Sequence, residues 1–392
     1  MRKGWEYKKL GEVGTFLRGK NILKSDFVEK GLPCIHYGQI HTKFGISTDT
    51  HLTETSQEVY NKAIIASKND VLIAITSEDL EGSCKATAWL GDYDVAVSAH
   101  AAVFKHNLNP KYIVYYLKSQ SFYIEKSKYA RGFKVMEIKP TDIAKIPIPI
   151  PPKSTQLAIV SELDKINELI RLKKEQLKDF DNLAQSLFYE MFGDPVENEK
   201  GWEVKKLGEL LKVIGGYAFK SDKYKDEGIP ILRIGNINSV FFRDTNLVFA
   251  ESDEKLEKYK IFPGDIVISL TGTVGKSDYG NVCIMDDAYN FYYLNQRNAK
   301  LEIFGNLDKY YLSAILKNED IKSRLTSISR GVRQANIANK DIENLQIPLP
   351  PLPLQHLFAQ RIEQIEHQKA EVQKSITDLE TLLASRMQYW FE

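Results

Sequence analysis

Two stretches of the chain repeat their apolar residues at alternating spacings of four and three positions, which is the pattern of a coiled-coil helix. The first stretch covers residues 159–191 and the second covers residues 358–390. Each apolar seam is interrupted by one lysine, Lys173 in the first and Lys369 in the second. Such a lysine either fixes the register of the helix pair or extends its charged end to water.

The seams predict two long helices, over residues 154–192 and 353–392. Their matched lengths favour packing of the helices against each other over packing of each helix on its own domain. Two equivalent halves related by a pseudo-two-fold axis perpendicular to the helices make the pair antiparallel. A proline-rich segment precedes each helix, at residues 148–152 and 347–351. Proline cannot continue a helix, so these segments are predicted to be extended.

The chain is a tandem repeat. The run GWEYKKLGEV at residues 4–13 returns as GWEVKKLGEL at residues 201–210, with eight of ten positions identical and an offset of 197 residues (201 − 4). Further blocks recur in the same order, ending with the proline-rich segments, and between the blocks the two copies differ strongly. A repeat that covers almost the whole chain predicts two equivalent domains.

The segment before each long helix is predicted to mix strands and helices. Residues 71–75 and 266–270 are rich in β-branched residues and follow turn signals, as buried strands do. Helices are expected within residues 110–127 and 308–326. The fold class is therefore α+β, with two pseudo-repeated globular domains separated by an antiparallel coiled coil of two long helices. The predicted boundaries are a first domain at 1–153, a spacer helix at 154–192, a linker at 193–200, a second domain at 201–352 and a C-terminal spacer helix at 353–392.

Composition restricts the class of protein. The chain is 43% hydrophobic, enough for sizeable cores, and no apolar run approaches the roughly 20 residues of a membrane helix. Its three cysteines are widely separated, which is typical of reduced thiols in a cytoplasmic protein. The net charge of +1 argues weakly against nucleic acid, but residues 1–150 are basic on balance, so an anionic partner would meet local patches.

The motifs of common catalytic sites are missing from the sequence. The stretch GTVGKS at residues 272–277 resembles part of a phosphate-binding loop, but that motif requires glycine where this chain has Leu270. No glycine-rich cofactor motif and no methyltransferase motif is present, so no catalytic residue and no bound cofactor is expected. The sequence favours a non-catalytic chain.

Histidine gives little evidence for a metal site. His36, His41 and His51 lie close in sequence, but they fall in a stretch typical of strand and loop, without helical ligand spacing. No metal is therefore expected. His100, between two alanines, is expected to be buried or half-buried.

A set of basic, aromatic and amide side chains recurs in matching loops of the two copies. Phosphate contacts require arginine and lysine, and base edges are recognised by arginine on guanine and by asparagine or glutamine on adenine. The candidate DNA-binding residues of the first copy are Arg18, Lys20, Lys24, Tyr37, Gln39, His41, Lys43, Arg131 and Lys134. Those of the second copy are Tyr217, Lys220, Arg233, Asn236, Asn238, Gln296, Arg297, Arg330, Arg333 and Gln334.

Over nearly its full length the chain resembles the specificity (S) subunits of type I restriction–modification enzymes. The motifs that carry the resemblance are GWExxKLGE at each repeat start, GIPxxRIxNI at residues 228–237, GDIV at 264–267, TGTVG at 271–275, NQR at 295–297 and IPLPPxxxxQ before the last helix. The first copy departs from the second, with CIHYGQI at residues 34–40 and AITSED at residues 74–79. It resembles another subtype of the same recognition domain.

The resemblance implies two target recognition domains, each specific for one half of a split sequence in double-stranded DNA. It also implies a helical spacer that sets the gap and docks two methyltransferase (M) subunits. S-adenosylmethionine-dependent adenine methylation would occur on M, and ATP- and Mg-dependent translocation and cleavage on the restriction (R) subunits.

Two other interpretations stay open from the residues alone. One is a recognition subunit of a fused nuclease–methyltransferase system, and the other is a coiled-coil interaction scaffold that binds no DNA.

Overall fold

The structure is a computed structural model of the 392-residue chain. It describes residues 5–20, 22–132, 135–237, 242, 246–273, 278–327 and 334–392. The chain forms two compact units. The first unit contains Met1–Lys174 and Lys374–Glu392, and the second unit contains Glu175–Gln373.

The first unit is a mixed α+β structure of short elements. Its strands are β1 (Glu6–Lys9), β2 (Gly14–Arg18), β3 (Phe27–Val28), β4 (Leu32–Ile35), β5 (Ser47–Thr48), β6 (Thr53–Thr55), β7 (Ile64–Ala66), β8 (Val71–Ala74), β9 (Thr76–Ser77), β10 (Ala86–Trp89), β11 (Val95–Val97), β12 (Ala101–His106), β13 (Met136–Glu137) and β14 (Pro147–Ile150). Its short helices are α1 (Leu10–Val13), α2 (Tyr37–Thr42), α3 (Gln57–Lys62), α4 (Pro110–Leu117), α5 (Gln120–Ser127) and α6 (Pro140–Ile143).

Two five-stranded sheets form the body of the first unit, in the orders β2-β12-β8-β10-β5 and β3-β6-β4-β11-β7. Most neighbours are antiparallel, but β4 pairs with β11 and β5 with β10 in parallel. Successive residues of a strand face opposite sides of the sheet, and both sides of β8 are buried in a hydrophobic core. Val71 and Ile73 belong to the core that contains α4, and Leu72 and Ala74 belong to a second core with Trp89.

The long helix α7 (Lys153–Phe192) continues from the first unit into the second. The second unit has strands β15 (Glu203–Lys206), β16 (Leu211–Gly215), β17 (Ile229–Leu232), β18 (Val248–Ala250), β19 (Lys260–Ile261), β20 (Ile266–Ser269), β21 (Thr271–Thr273), β22 (Val282–Ile284), β23 (Tyr292–Leu294), β24 (Asn298–Ile303), β25 (Gln334–Asn336) and β26 (Gln346–Leu349). Its helices are α8 (Lys309–Lys317), α9 (Glu319–Thr326), α10 (Asn339–Asn344) and the start of α11 (Leu352–Phe391), which ends in the first unit.

The second unit repeats the sheet plan of the first. Its two four-stranded sheets have the orders β16-β24-β20-β22 and β18-β17-β23-β19, with β17 and β23 parallel as β4 and β11 are. Strand β20 again faces two cores, with Ile266 and Ile268 on one side and Val267 on the other. The sequence repeat is therefore also a structural repeat.

A buried glutamine holds the start of each long helix. The side-chain amide of Gln156 donates to the carbonyl of Pro151 (2.9 Å) and accepts from the backbone N–H of Asn109 (3.1 Å). Gln355 makes the equivalent pair of hydrogen bonds in the second unit. Each glutamine ties the extended proline-rich segment to the helix cap of the globular part, so the long helix leaves the domain in a fixed direction.

In the first unit α7 and α11 pack against each other in opposite directions. Glu162 near the start of α7 accepts hydrogen bonds from Arg386 and from the indole of Trp390 near the end of α11. Twelve residues further along α7, Lys174 pairs with Glu380 at 2.8 Å. The later residue of α7 pairs with the earlier residue of α11, so the two helices are antiparallel.

Within the second unit α7 and α11 also pair in opposite directions. Phe188 of α7 contacts Phe358 of α11, and earlier on α7 Asp181 pairs with Lys369 at 2.8 Å. Burial lowers the pKa of Lys369, but hydrogen bonds from its ammonium to Asp181 and Glu366 outweigh burial and hold the pKa above its ordinary value. Lys369 therefore pairs across the helices within its seam.

The predicted fold class and the two long helices are confirmed. The helix predicted within residues 110–127 is divided, because the side chain of Ser119 caps a new helix, α5, directly after α4. Asn318 divides the segment 308–326 in the same way. In the part of the chain that the structure describes, no helix is both long enough and apolar enough to cross a membrane.

Candidate nucleic-acid interface

Three loops of the first unit meet at the ends of its central strands. The backbone N–H of Lys20, after β2, donates to the carbonyl of Val97 at the end of β11 (3.2 Å). The N–H of Tyr37, at the start of α2, donates to the hydroxyl of Ser98 (2.9 Å). We call this site, formed by residues 18–20, 22–24, 36–43 and 98–100, the first loop cluster.

The turn into α2 is fixed by its own side chains. The backbone N–H of His36 donates to the side-chain oxygen of Gln39 (3.0 Å), and the N–H of Gly38 donates to Nδ1 of His36 (3.2 Å). The amide nitrogen of Gln39 donates to the hydroxyl of Thr53 (3.2 Å). The amide of Gln39, a predicted base contact, is thus engaged inside the fold.

Aromatic rings cover the centre of the first loop cluster. The ring of Tyr37 lies 4.4 Å from that of His36, 4.9 Å from that of His100 and 6.1 Å from that of His41, measured between centroids. Nε2 of His41 lies 2.9 Å from the carbonyl of Thr76, which fixes its ring. His100 is exposed, so the expectation that it is buried or half-buried is wrong.

The basic residues of this cluster fall into two groups. Arg18 pairs with Glu137 (2.9 Å), whose backbone in turn pairs with that of Arg131, so an acidic group partly compensates the charge there. The second group is exposed to solvent and suited to phosphate contact. It consists of Lys20, Lys24 and Lys43.

The second unit forms a cleft of about 650 Å³ at the equivalent place. Four of the predicted contact residues line it together: Arg233, Asn236, Gln296 and Arg297. Gln296 and Arg297 are exposed in the loop between β23 and β24. This loop is held by the N–H of Gln296, which donates to the carbonyl of Tyr217 (2.9 Å).

Arg233 and Asn236 come directly after β17 and form one wall of the cleft. The N–H of Arg233 donates to the side-chain oxygen of Asn236 (3.0 Å), which caps a 3₁₀ turn at Ile234–Asn236. The guanidinium of Arg233 donates to the carbonyl of Asn246 and lies 5.9 Å from the ring centroid of Tyr224. Asn236 is only 2% exposed, so its first role is to fix the turn that presents Arg233.

A neighbouring cleft of about 830 Å³ shares Tyr224 with the first. It is lined by Tyr217 and Lys220, two predicted contact residues, but also by acidic groups such as Asp222 and Glu251. Tyr217 is 41% exposed, and its ring packs against those of Phe219 and Tyr259.

Some predicted contacts cannot be placed. Lys134, Asn238, Arg330 and Arg333 lie outside the described residues. Gln334 begins β25, and its backbone pairs with Thr273. Within the ranges that the structure describes, no group of three or more His, Cys, Asp or Glu residues is arranged to hold a metal ion.

The predicted contact residues do not include Tyr224, which packs against Arg233, or His36 and His100, which lie beside Tyr37 in the first loop cluster. A signal for the histidines was present. His36 and His100 stand at the offset of 197 residues from Arg233 and Arg297, the same offset that relates the two repeat starts.

A repeated α+β recognition-type domain with an attached long helix is the class of protein that these observations define. A family model for the type I restriction modification DNA specificity domain matches residues 2–179 and again residues 199–381. The chain belongs to this family and contains two copies of its domain.

Individual relatives agree with this assignment. The chain is 23% identical to the type I restriction enzyme MjaVIII specificity subunit of Methanocaldococcus jannaschii, over 97% of this chain and 92% of that protein. It is 26% identical to the EcoKI specificity subunit of Escherichia coli, over 45% of this chain and 39% of that protein.

Solved structures show the same fold. The type I restriction–modification S subunit from M. genitalium matches with a TM-score of 0.57 at 15% identity, over 100% of this chain and 98% of that one. A chain from a study of complex assembly and conformational transition in the type I system matches with a TM-score of 0.59 at 20% identity, over 99% and 97%.

Proposed function

We propose that this chain is the DNA-specificity subunit of a type I restriction–modification enzyme, in which each unit recognises one half of a bipartite double-stranded target. The observation that carries the proposal is the pair of equivalent loop sites. The backbone that presents them is the same in both units, whereas the side chains differ. A repeated scaffold with different side chains at its recognition loops suits two different half-sites.

The chain itself performs no chemistry under this proposal. Two M subunits dock on it and methylate adenine with S-adenosylmethionine, and R subunits translocate and cleave DNA with ATP and Mg. These partners also supply much of the positive charge that faces phosphate, which is consistent with a net charge of only +1 on this chain. The complex works in the cytoplasm, where host DNA is methylated.

Mapping of methylated adenines in the host tests the proposal. We expect one bipartite motif, two specific half-sites around a nonspecific gap, that disappears on deletion of this gene and returns on complementation. The purified chain with S-adenosylmethionine and Mg should leave DNA unmodified until M subunits are added. Methylation or cleavage by the chain alone would favour the fused-enzyme interpretation. A reconstituted complex without sequence preference would favour the scaffold.

Exchange of single side chains should separate base contacts from phosphate contacts. We expect Arg297→Ala to cost about 1–3 kcal/mol of binding to the cognate duplex and to relax one base pair of the second half-site. Lys220→Ala should instead weaken binding to all sequences and lower the salt slope by about 1. Binding of the reconstituted complex to cognate and scrambled duplexes, across a salt series, measures both effects.

Lys212→Ala is the matched control, because Lys212 is exposed on β16 outside both clefts. It should change neither the sequence preference nor the salt slope. Equal losses on cognate and scrambled DNA for Arg297→Ala would contradict its role in base recognition.

A further inference from the structure

His36 and Arg233 occupy the same place in the two units. Each follows a strand that pairs in parallel with its neighbour, β4 with β11 and β17 with β23. Each donates its backbone N–H to the side-chain amide oxygen three residues later, at 3.0 Å in both units, with Gln39 as the acceptor in one and Asn236 in the other. An aromatic ring lies at 5.9 Å from each side chain, that of Phe27 from His36 and that of Tyr224 from Arg233.

His100 and Arg297 form a second equivalent pair. The carbonyl of His100 accepts from Ile75 (2.9 Å), and that of Arg297 accepts from Leu270 (2.8 Å). Three other backbone hydrogen bonds around these loops recur at the offset of 197 residues. They are Ser98 to Ile35 and Asn295 to Leu232, Lys20 to Val97 and Tyr217 to Leu294, and Gly19 to Ala101 and Gly216 to Asn298.

Glycine is required at the first position of this framework. A Cβ on Gly19 would lie 2.1 Å from the carbonyl oxygen of Ser98, and one on Gly216 would lie 2.2 Å from that of Asn295. The close backbone approach that builds each loop site is therefore the same in both units. The difference between the sites lies in the side chains mounted on it.

The hydrogen bonds of His36 decide what its ring can offer a ligand. Nδ1 accepts from the N–H of Gly38 (3.2 Å), so in the neutral ring the proton resides on Nε2. Nε2 has no hydrogen-bond partner among the residues that the structure describes. The ring therefore presents one donor, which suits an acceptor on a base edge such as purine N7, guanine O6 or thymine O4.

We propose that His36 and His100 form the base-recognition pair of the first unit, in the places that Arg233 and Arg297 hold in the second. The ligand is the set of base edges of the first half-site in double-stranded DNA. This inference rests on the proposed function. It assigns the first half-site to imidazole donors, where the second half-site meets guanidinium groups that stay charged at every physiological pH.

The two half-sites consequently differ in their response to pH. Burial, and then the nearby Lys24 and His100, lower the pKa of His36 below its ordinary value, so the ring is neutral at pH 7. If Nδ1 were protonated, its N–H would face the backbone N–H of Gly38, and neither donor could accept from the other. The hydrogen bond that caps α2 would then be lost. The titratable groups on the elements around His36 are Lys24, Asp26, Tyr37, His41, Glu54 and His100.

The test uses the reconstituted complex with its M subunits and compares two variants of the first unit. His36→Asn keeps a capping acceptor for α2 and removes Nε2, and His100→Ala removes an exposed ring. We expect each to lower discrimination at one base pair of the first half-site by about tenfold to 100-fold. The second half-site should remain as specific as in the wild type. That unchanged half-site also reports that the variant is folded.

His51→Asn is the matched control, because His51 belongs to the same unit but contacts Tyr93 instead of Tyr37. It should leave both half-sites unchanged. Mismatched duplexes measured from pH 8 to pH 5.5 provide a second readout. Because the pKa of His36 is lowered, the mismatch penalty of the first half-site should begin to shrink only once the pH has fallen below the ordinary histidine pKa of about 6.5, while that of the second half-site stays constant.

The outcomes separate this inference from the proposed function. A wild-type complex without any sequence preference would remove the function itself. A wild-type complex that recognises a bipartite target, with both histidine variants retaining full discrimination in the first half-site, would overturn only the histidine pair. An equal response of the two half-sites to pH would likewise overturn only the histidine pair.

Discussion

Replacement of the recognition segment of the second unit by that of a relative should exchange one complete half of the methylated motif and leave the other half unchanged. The reason is that the loop cleft around Arg233 and Arg297 is built entirely from residues of the second unit. The first loop cluster is built from residues of the first unit in the same way. Among the described residues, each site is lined only by side chains of its own unit.

The structure sets the boundaries of this exchange. Strand β15 near the start of the segment pairs with β26 near its end, from Glu203 opposite Leu349 to Lys206 opposite Gln346. A graft of residues 201–345 would separate these partners, whereas a graft of residues 201–350 transfers them together. The donor should keep an aromatic residue at the position of Tyr311, which packs against Phe188 of α7.

Adenine methylation mapping of the chimera, beside the wild type, measures the result. An exchange of residues 211–215 alone, within β16 and outside both clefts, serves as the control and should leave the motif unaltered. A chimera that is active but has changed in both half-sites would show that the units do not recognise DNA independently.

The repeat and the two long helices could be predicted because both depend on patterns that burial imposes along the sequence. Seam residues such as Ile159, Leu163 and Phe358 are fully buried, and the alternation of spacings four and three records that burial directly. The strand at residues 71–75 was equally clear, because β8 is buried on both faces. The pairing of β4 with β11 in parallel leaves no such local signal.

The contact residues could be named from the sequence only as candidates, because residue type does not reveal whether a polar group is already engaged in a hydrogen bond within the fold. Gln39 and Asn236 have the amide expected of an adenine contact, yet both use it to cap the turn after a strand. Arg18 has the charge expected of a phosphate contact, yet it pairs with Glu137. His100 has alanine on both sides, and its exposure follows from a loop whose hydrogen bonds come from distant strands.

Addition of one heptad to each long helix should widen the gap between the half-sites by about three base pairs. Helix α7 is continuous across the border of the two units at Lys174, and α11 is continuous across it at Lys374. Seven residues inserted at each border preserve the spacing of the seam and lengthen each helix by about 10 Å, at 1.5 Å per residue. DNA advances about 3.4 Å per base pair, so an extra length of about 10 Å corresponds to about three base pairs of added gap.

The contacts beside the insertion points should survive it. Lys174 and Glu380 stay in the first unit, and Asp181 and Lys369 stay in the second, so each half of the antiparallel pair retains its ion pair. No recognition loop is touched, so the sequences of both half-sites should be unchanged. Three added base pairs also rotate one half-site by about a third of a turn around the duplex. We therefore expect weaker binding together with the longer gap.

An insertion of four residues in each helix is the matched control, because it shifts the apolar seam away from the partner helix and should abolish methylation. Methylation mapping of the two variants gives the half-sites and the gap in one experiment. An active seven-residue variant with the original gap would show that the distance is set elsewhere, by the M subunits or by the DNA. A gap longer by three base pairs with unaltered half-sites would assign the spacing to the helices, since only their length has changed.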